Sequence, residues 1–203
     1  MKLECFVYIS LAMKMQKTIK DVIELEGIGL HNGVVAKMFL KPAEADSGIK
    51  FKRTDIEEGK NIIEAIYKNV NAPILCTKIQ NSYGISVSTI EHLMAAFYGE
   101  GIDNVLVEVD APEIPIMDGS ALDFVEILRS TGSEEQKYLK KFIKVLKKVE
   151  VKDGAKYISI EPLEKDLIID FEIVYKNPLI RTRRNEFKLS NGMLPEIYNS
   201  RTF

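Results

Sequence analysis

The spacing of apolar residues changes at Ser88, and this change constrains the fold more than any other feature of the sequence. Residues 82–88 form a short β-strand candidate. The residues that follow instead place apolar side chains on one face of a helix. These side chains are Ile90, Leu93, Met94 and Phe97. The chain is therefore predicted to combine strands with amphipathic helices, as in an α+β protein.

Short strand candidates lie on both sides of this helix. Residues 18–26 and 34–41 flank a glycine-rich turn that contains Asn32, and together they predict a hairpin. Further strand candidates cover residues 48–53, 62–70 and 105–109. Several short strands and few helices are expected in this part of the chain.

Capping boxes are predicted at the starts of two helices. Ser88 and Glu91 fit the S-x-x-E pattern ahead of the first helix. Ser120 and Asp123 repeat the pattern ahead of a second helix. That helix is expected to end near Arg129.

A polar segment at residues 130–135 is the predicted domain boundary. A first α+β domain is expected over residues 15–131, and a partial second α+β domain over residues 138–203. Strand candidates in the second domain cover residues 142–151, 157–161 and 167–175. The prediction is two α+β units in series, with the second incomplete.

Residues 1–14 are predicted to be an extension outside the fold. Residues 6–13 are apolar like a secretion leader, but Glu4 and the lack of a small-residue cleavage pattern argue against a signal peptide. Translation can start at Met1, Met13 or Met15.

Composition argues against several classes of protein. A net charge of -2 and a pI near 5.9 give no general electrostatic reason to bind nucleic acid. No apolar run approaches the roughly 20 residues of a membrane span, so no stable membrane anchor is expected. Cys5 and Cys76 form neither a disulfide framework nor a paired metal motif, which favours a reducing cytoplasm.

Glu91 and His92 are the first candidates for catalytic chemistry. A histidine next to a carboxylate can provide a metal ligand and a general base. Alternatively, Glu91 is only a capping residue and His92 an ordinary partly buried histidine. A catalytic zinc ion usually takes about three protein ligands. His31 is the only other histidine, and no spacing of carboxylates or cysteines completes a set.

Five segments resemble a known protein family. They are GIGLHNG at residues 27–33, STIEHL at 88–93, GIDNV at 101–105, APEIPIMDGSA at 111–121 and SRTF at 200–203. Together they resemble the UDP-3-O-acyl-N-acetylglucosamine deacetylase family of lipid A biosynthesis. The resemblance runs from about Gln16 to the last residue.

This resemblance implies a fold and an activity. The fold would be two related α/β sandwich domains in series, ribosomal protein S5 domain 2-like, with the active site between them and the second domain incomplete. The activity would be zinc-dependent hydrolysis of the 2-acetamido group of UDP-3-O-acyl-N-acetylglucosamine, which releases acetate. A monomer is expected for the full-length protein.

The resemblance also implies roles for individual residues. His92 matches a zinc ligand, and Glu91 matches the general base that takes a proton from the attacking water. Thr202 matches a threonine that stabilises the oxyanion of the tetrahedral intermediate. Three further positions match substrate-binding residues, namely Cys76, Tyr175 and Phe203. His31 lies in a family motif but is not assigned to zinc.

The sequence departs from the family pattern after Phe203. Family members continue with segments that carry the other two zinc ligands and a catalytic histidine, and these segments are not in this sequence. One histidine ligand is expected to hold zinc poorly. The chain is therefore expected to be a fragment that is inactive alone. The alternatives are a non-catalytic remnant that folds without a complete metal site and, disfavoured by the acidic pI, a nucleic-acid-binding module.

Overall fold

The computed structural model describes residues 14–71, 74–164, 167–189 and 194–201. These residues form two compact units. The larger unit holds the described residues up to Lys140 together with those from Ile197 onward, and the smaller unit holds those from Lys141 to Glu196. Of the predicted extension, only Lys14 belongs to the described part of the chain.

The larger unit contains short strands and two helices. In chain order, the strands are β1 (Met15–Ile19), β2 (Ile23–Ile28), β3 (Val35–Pro42), β4 (Ile49–Arg53), β5 (Ile62–Glu64), β6 (Lys78–Gln80), β7 (Ser86–Ser88), β8 (Val105–Val109) and β9 (Ser133–Leu139). The helices are α1 (Glu91–Glu100) and α2 (Leu122–Thr131). The predicted α+β class is confirmed. Within the described ranges, no helix is long and apolar enough to cross a lipid bilayer.

Five strands form the main sheet of this unit, in the order β2-β3-β8-β4-β5. β2 and β3 pair antiparallel, from Ile23 opposite Leu40 to Ile28 opposite Val35, which confirms the predicted hairpin. β4 pairs parallel to β8, and the remaining neighbours are antiparallel. Alternate side chains from these strands enter the core, including Met38, Leu40, Phe51, Ile63, Val105 and Val107.

The first predicted strand is wrong as a single element. Residues 18–26 are divided between β1 and β2 by a bend at residues 20 and 21. The division arises because the two parts have different partners. β1 pairs antiparallel with β9, with Ile19 opposite Ser133, whereas β2 pairs with β3.

Two other predicted strands are shorter than expected. β5 covers only the first three residues of the 62–70 candidate, and a 3-10 turn at Tyr67–Asn69 follows it. β7 covers only the end of the 82–88 candidate because a turn occupies the preceding residues. In that turn, Asn81 Oδ1 accepts hydrogen bonds from the N–H groups of Tyr83 and Ile85 at 3.0 and 3.1 Å.

Both helices bury one face, as their spacing predicts. In α1 the buried residues include Leu93 and Phe97, while Met94 is half-buried. In α2 the buried residues are Phe124, Val125 and Leu128. α2 ends two residues beyond the predicted position, at Thr131. Together these side chains and the inward side chains of the sheet form the core of the larger unit.

The smaller unit consists mainly of two antiparallel hairpins. Its elements are β10 (Val149–Asp153), β11 (Lys156–Ile160), β12 (Ile168–Val174), β13 (Thr182–Lys188) and the start of α3 (Leu194–Tyr198). The strands predicted at residues 157–161 and 167–175 are confirmed as β11 and β12. The strand predicted at 142–151 begins only at Val149. The rings of Phe171 and Phe187 stack across β12 and β13 with their centroids 5.9 Å apart.

Candidate active site

The first candidate site residues lie at the start of α1. Glu91 is its first residue and His92 its second, and both are half-buried. The backbone N–H of Thr77 donates a 2.9 Å hydrogen bond to Glu91 Oε2. This bond brings the loop that contains Cys76 to the start of the helix.

The capping box predicted at Ser88 and Glu91 is wrong. Ile90 occupies the N-cap position of α1, and no side chain caps the helix there. Ser88 is the last residue of β7, and its Oγ donates to the carbonyl of Pro112 at 3.1 Å. The Glu91 carboxylate is engaged by Thr77 instead. The first carboxylate of the helix therefore faces a neighbouring loop.

Glu113 is a buried carboxylate that connects two other segments of the site. It accepts a 2.6 Å hydrogen bond from Thr89 Oγ1. It also accepts hydrogen bonds from the backbone N–H groups of His31 at 3.1 Å and Asn32 at 3.0 Å. Burial raises the pKa of Glu113, but these hydrogen bonds to the ionised form outweigh it, so the pKa lies below its usual value. The carboxylate is therefore ionised at neutral pH.

Asp118 organises the loop ahead of α2. Its Oδ1 accepts hydrogen bonds from Ser120 Oγ at 2.6 Å and from the Ser120 N–H at 2.9 Å. Its Oδ2 accepts from Arg201 Nη2 at 2.7 Å. The Ser120 hydroxyl and then the Arg201 guanidinium lower the pKa of Asp118 to about 2. Asp118 thus fixes both its own turn and the segment next to Thr202.

The capping box predicted at Ser120 and Asp123 is also wrong. Ala121 occupies the N-cap position of α2 and makes no side-chain hydrogen bond to the helix, so Ser120 lies one residue before the cap. Ser120 Oγ donates to Asp118 and accepts from the N–H of Leu122 at 3.1 Å. The hydroxyl is engaged in a local turn, so the reciprocal capping pattern does not form.

Tyr198 anchors residues 197–201 to the two helices. The N–H of Ala121 donates to the Tyr198 carbonyl at 3.1 Å, and the Tyr198 hydroxyl donates to Glu100 Oε1 at 3.3 Å. The Arg129 guanidinium lies 5.7 Å from the centre of the Tyr198 ring. Burial, followed by the charge of Glu100, raises the pKa of Tyr198 to about 12, so the phenol remains a donor over the physiological range.

Comparison with known proteins gives a family for this arrangement. Residues 16–203 match the family model described as UDP-3-O-acyl N-acetylglycosamine deacetylase. The chain belongs to this family. It is 41% identical over 194 residues to a UDP-3-O-acyl-N-acetylglucosamine deacetylase of Shewanella pealeana. Proteins of the same name from Shewanella violacea and Pseudoalteromonas atlantica are 42% and 43% identical.

These matches cover the chain more completely than they cover the relatives. In all three, the matching region is 94% of this chain and 63% of the relative. The chain therefore spans less than two thirds of the length of the deacetylases that it matches. The predicted membership of the deacetylase family is confirmed, and the matching region includes every residue that the sequence analysis singled out for the site.

The structure brings some of the predicted site residues together. Cys76, Glu91 and His92 belong to the larger unit, and the bond to Glu91 comes from Thr77, the residue after Cys76. Tyr175 directly follows β12 in the smaller unit and is half-buried. Two predicted site residues lie outside the described part of the chain, namely Thr202 and Phe203.

The described residues do not fit a complete metal site. No group of three or more His, Cys, Asp and Glu side chains is arranged to hold a metal ion within the described ranges. His92 has Glu91 beside it, but a catalytic zinc site takes about three protein ligands.

Three residues that organise the site were not predicted from the sequence. Glu113 and Asp118 both lie in the 111–121 motif, but Glu113 is buried against the distant 29–32 turn, and Asp118 is exposed and binds the distant Arg201. Tyr198 lies outside the motifs altogether. The sequence indicated only that the 111–121 motif as a whole matters, because its proline-rich run is long and specific.

Proposed function

We propose that this chain supplies the general base of an enzyme that deacetylates UDP-3-O-acyl-N-acetylglucosamine. Membership of the deacetylase family and the names of the relatives support this substrate. The structural observation that carries the proposal is the Glu91 carboxylate, which the Thr77 N–H holds at the first position of α1. A base held by a second group keeps its orientation as the substrate binds.

The proposed reaction is hydrolysis of an amide. Water adds to the carbonyl carbon of the acetamido group while Glu91 takes a proton from that water. The bond between the carbonyl carbon and nitrogen then breaks as the proton held by Glu91 passes to the nitrogen, which releases acetate and leaves an amine on the sugar. Thr77 binds Glu91 Oε2, so Oε1 is the oxygen that we assign to proton transfer.

Other residues have proposed roles in the same reaction. We assign His92 as one ligand of a zinc ion, with the remaining ligands outside the described residues. Thr202 is assigned to oxyanion stabilisation, and the bond between Arg201 and Asp118 supports this role because it anchors the preceding residue. Cys76, Tyr175 and Phe203 are assigned to substrate binding. A cytoplasmic location is proposed from the sparse cysteine content.

A chimaera tests this function. In it, the chain replaces the matching 194 residues of the Shewanella pealeana relative, so that the relative supplies the rest of its length. We expect the zinc-loaded chimaera to release acetate from UDP-3-O-acyl-N-acetylglucosamine. Glu91→Gln should reduce kcat by about 10²–10⁴-fold, as expected for loss of a general base. A folded chimaera that releases no acetate would contradict the proposal.

The matched control is Glu126→Gln, which makes the same chemical change at an exposed position of α2. It should leave kcat unchanged. Glu91→Gln keeps an oxygen that can accept from Thr77, so its free energy of unfolding should also remain close to that of the parent chimaera. Equal loss of activity in both variants would show that the loss does not report on Glu91.

A further inference from the structure

Thr89 has a strained backbone immediately before the site helix. Its φ angle is +60°, in the left-handed region. That region is unfavourable for β-branched residues, and such outliers persist only where the surrounding structure holds them. Thr89 is also buried, with 2% of its surface exposed. Something in the core must therefore stabilise this conformation two residues before Glu91.

Glu113 supplies that stabilisation. Glu113 is 1% exposed, and its carboxylate accepts a hydrogen bond from the Thr89 hydroxyl at 2.6 Å. The backbone on either side of Glu113 is fixed to the same strand end, because Ser88 N–H donates to the Pro112 carbonyl at 3.0 Å and Ile114 N–H donates to the Ser88 carbonyl at 3.3 Å. Hydrogen bonds thus join the end of β7, the strained residue Thr89 and the segment that carries Glu113.

The same carboxylate also holds the turn between β2 and β3. The N–H groups of His31 and Asn32 point at it, as described above. The turn approaches so closely that a Cβ atom at Gly29 would lie 2.7 Å from Glu113 Oε2. One buried charge therefore fixes two segments that are distant in sequence, and one of them leads directly into Glu91 and His92.

We propose that Glu113 is a positioning residue for the deacetylation site, because it holds Thr89 in the left-handed conformation that sets the direction of the Glu91 side chain. This inference rests on the proposed function for its catalytic consequence. Glu113 acts through Thr89 and Glu91 and has no assigned contact with the substrate.

The first test uses the chain itself, labelled with ¹⁵N. The backbone amide of Thr77 reports on Glu91, because its N–H donates to the Glu91 carboxylate. Glu113→Gln keeps the shape of the side chain but replaces an acceptor oxygen with a donor that faces other donors. We expect this variant to remain folded and to shift the Thr77 amide signal. An unchanged Thr77 signal in a folded Glu113→Gln variant overturns the proposal.

The matched control is Asp110→Asn in the same loop. Asp110 also accepts a backbone N–H, from Lys37 at 2.8 Å, but it is exposed and has no bond to Thr89 or the 29–32 turn. It should leave the Thr77 signal in place. A shift of equal size in Asp110→Asn would mean that any disturbance of the loop moves Thr77, and this would overturn a specific role for Glu113.

A second pair of variants covers the case in which Glu113→Gln does not fold. Thr89→Val removes the hydroxyl and keeps the branched shape, whereas Thr89→Ser keeps the hydroxyl. We expect Thr89→Val to move the Thr77 signal and Thr89→Ser to preserve it. If the valine and serine variants give the same spectrum as the parent chain, the hydroxyl bond does not position Glu91 and the proposal fails.

Kinetics of the chimaera separate this inference from the proposed function. Glu113→Gln should lower kcat by about tenfold or more with little change in KM, because misplacement of a base affects the chemical step. If the parent chimaera releases no acetate but the Thr77 signal still responds to Glu113→Gln, the proposed function fails while the positioning of Glu91 is supported. If the parent is active and kcat is unchanged by Glu113→Gln, the positioning role is overturned.

Discussion

Tyr198 occupies the space that a side chain at Gly99 would need. A Cβ atom at Gly99 would overlap the phenol oxygen and approach the ring carbons of Tyr198. Gly99 lies near the end of α1, whereas Tyr198 lies in the segment that precedes Arg201. The absence of a side chain in the helix therefore permits residues 197–201 to pack against the element that begins with Glu91.

Gly99→Ala tests this contact. Glycine inside a helix is normally less favourable than alanine by about 1 kcal/mol, so the substitution would stabilise a helix with open space beside it. Here we expect overpacking against Tyr198 to lower the free energy of unfolding by about 1–3 kcal/mol. Urea denaturation measures the change. A Gly99→Ala chain that is more stable than the parent would show that Tyr198 does not lie against α1.

Asp118→Asn tests the pH dependence of the anchor at Arg201. The pKa of Asp118 is lowered from 3.8 to about 2 in the folded chain. Its ionised form therefore stabilises the fold fully above about pH 4, and this contribution is lost as the pH falls towards 2. We expect Asp118→Asn to destabilise the chain at pH 7 and to make little difference at pH 2. Equal destabilisation at both pH values would contradict the assignment.

Leu75→Asn tests backbone strain near the proposed substrate-binding cysteine. Leu75 has a φ angle of +58° and a side chain that is 89% exposed. Asparagine tolerates the left-handed region better than leucine, so we expect the free energy of unfolding to rise by about 0.5–1 kcal/mol. Ile74→Asn is the control, because Ile74 is similarly exposed but does not have a positive φ. A gain in both variants would reflect polarity and not strain.

Cys76→Ala tests substrate binding in the chimaera. Cys76 is half-buried, and its neighbour Thr77 contacts the proposed base. If the thiol contacts the bound substrate and takes no part in proton transfer, KM should rise several-fold with kcat nearly unchanged. Steady-state kinetics measure both constants. A fall in kcat at constant KM would place Cys76 in the chemical step and contradict the binding role.

The spacing of apolar residues predicted the helices and strands that have a regular apolar pattern. The apolar stripe of α1 and the hairpin of β2 and β3 are both visible in the sequence, because each buries one face at a regular period. β9 was not predicted as a strand, since its sequence SEEQKYL is mostly polar. It becomes a strand by pairing with β1. Gln136 within it accepts from Asn104 Nδ2 at 2.7 Å and donates to the Ala43 carbonyl at 2.8 Å.

Prediction of the candidate site from sequence is limited in the same way, because tertiary partners are not visible in the sequence. The motif that contains Glu91 and His92 indicated where the chemistry lies, but the capping interpretation failed because the helix begins at Glu91, two residues later than the capping box requires. Residue type alone did not distinguish Glu113 from an exposed loop carboxylate. Its role arises from burial and from the turn at residues 29–32, which only the tertiary fold brings to it.

The return of residues 197–201 to the larger unit makes residues 141–196 an insertion within that unit. Both covalent ends of this segment lead into the same body, at Lys140 and at Ile197. A protease that cut the exposed loop between β12 and β13 would therefore break the polypeptide without releasing its last segment. The pairing of β12 with β13 and the hydrogen bonds of Tyr198 and Arg201 would keep the two fragments associated after cleavage.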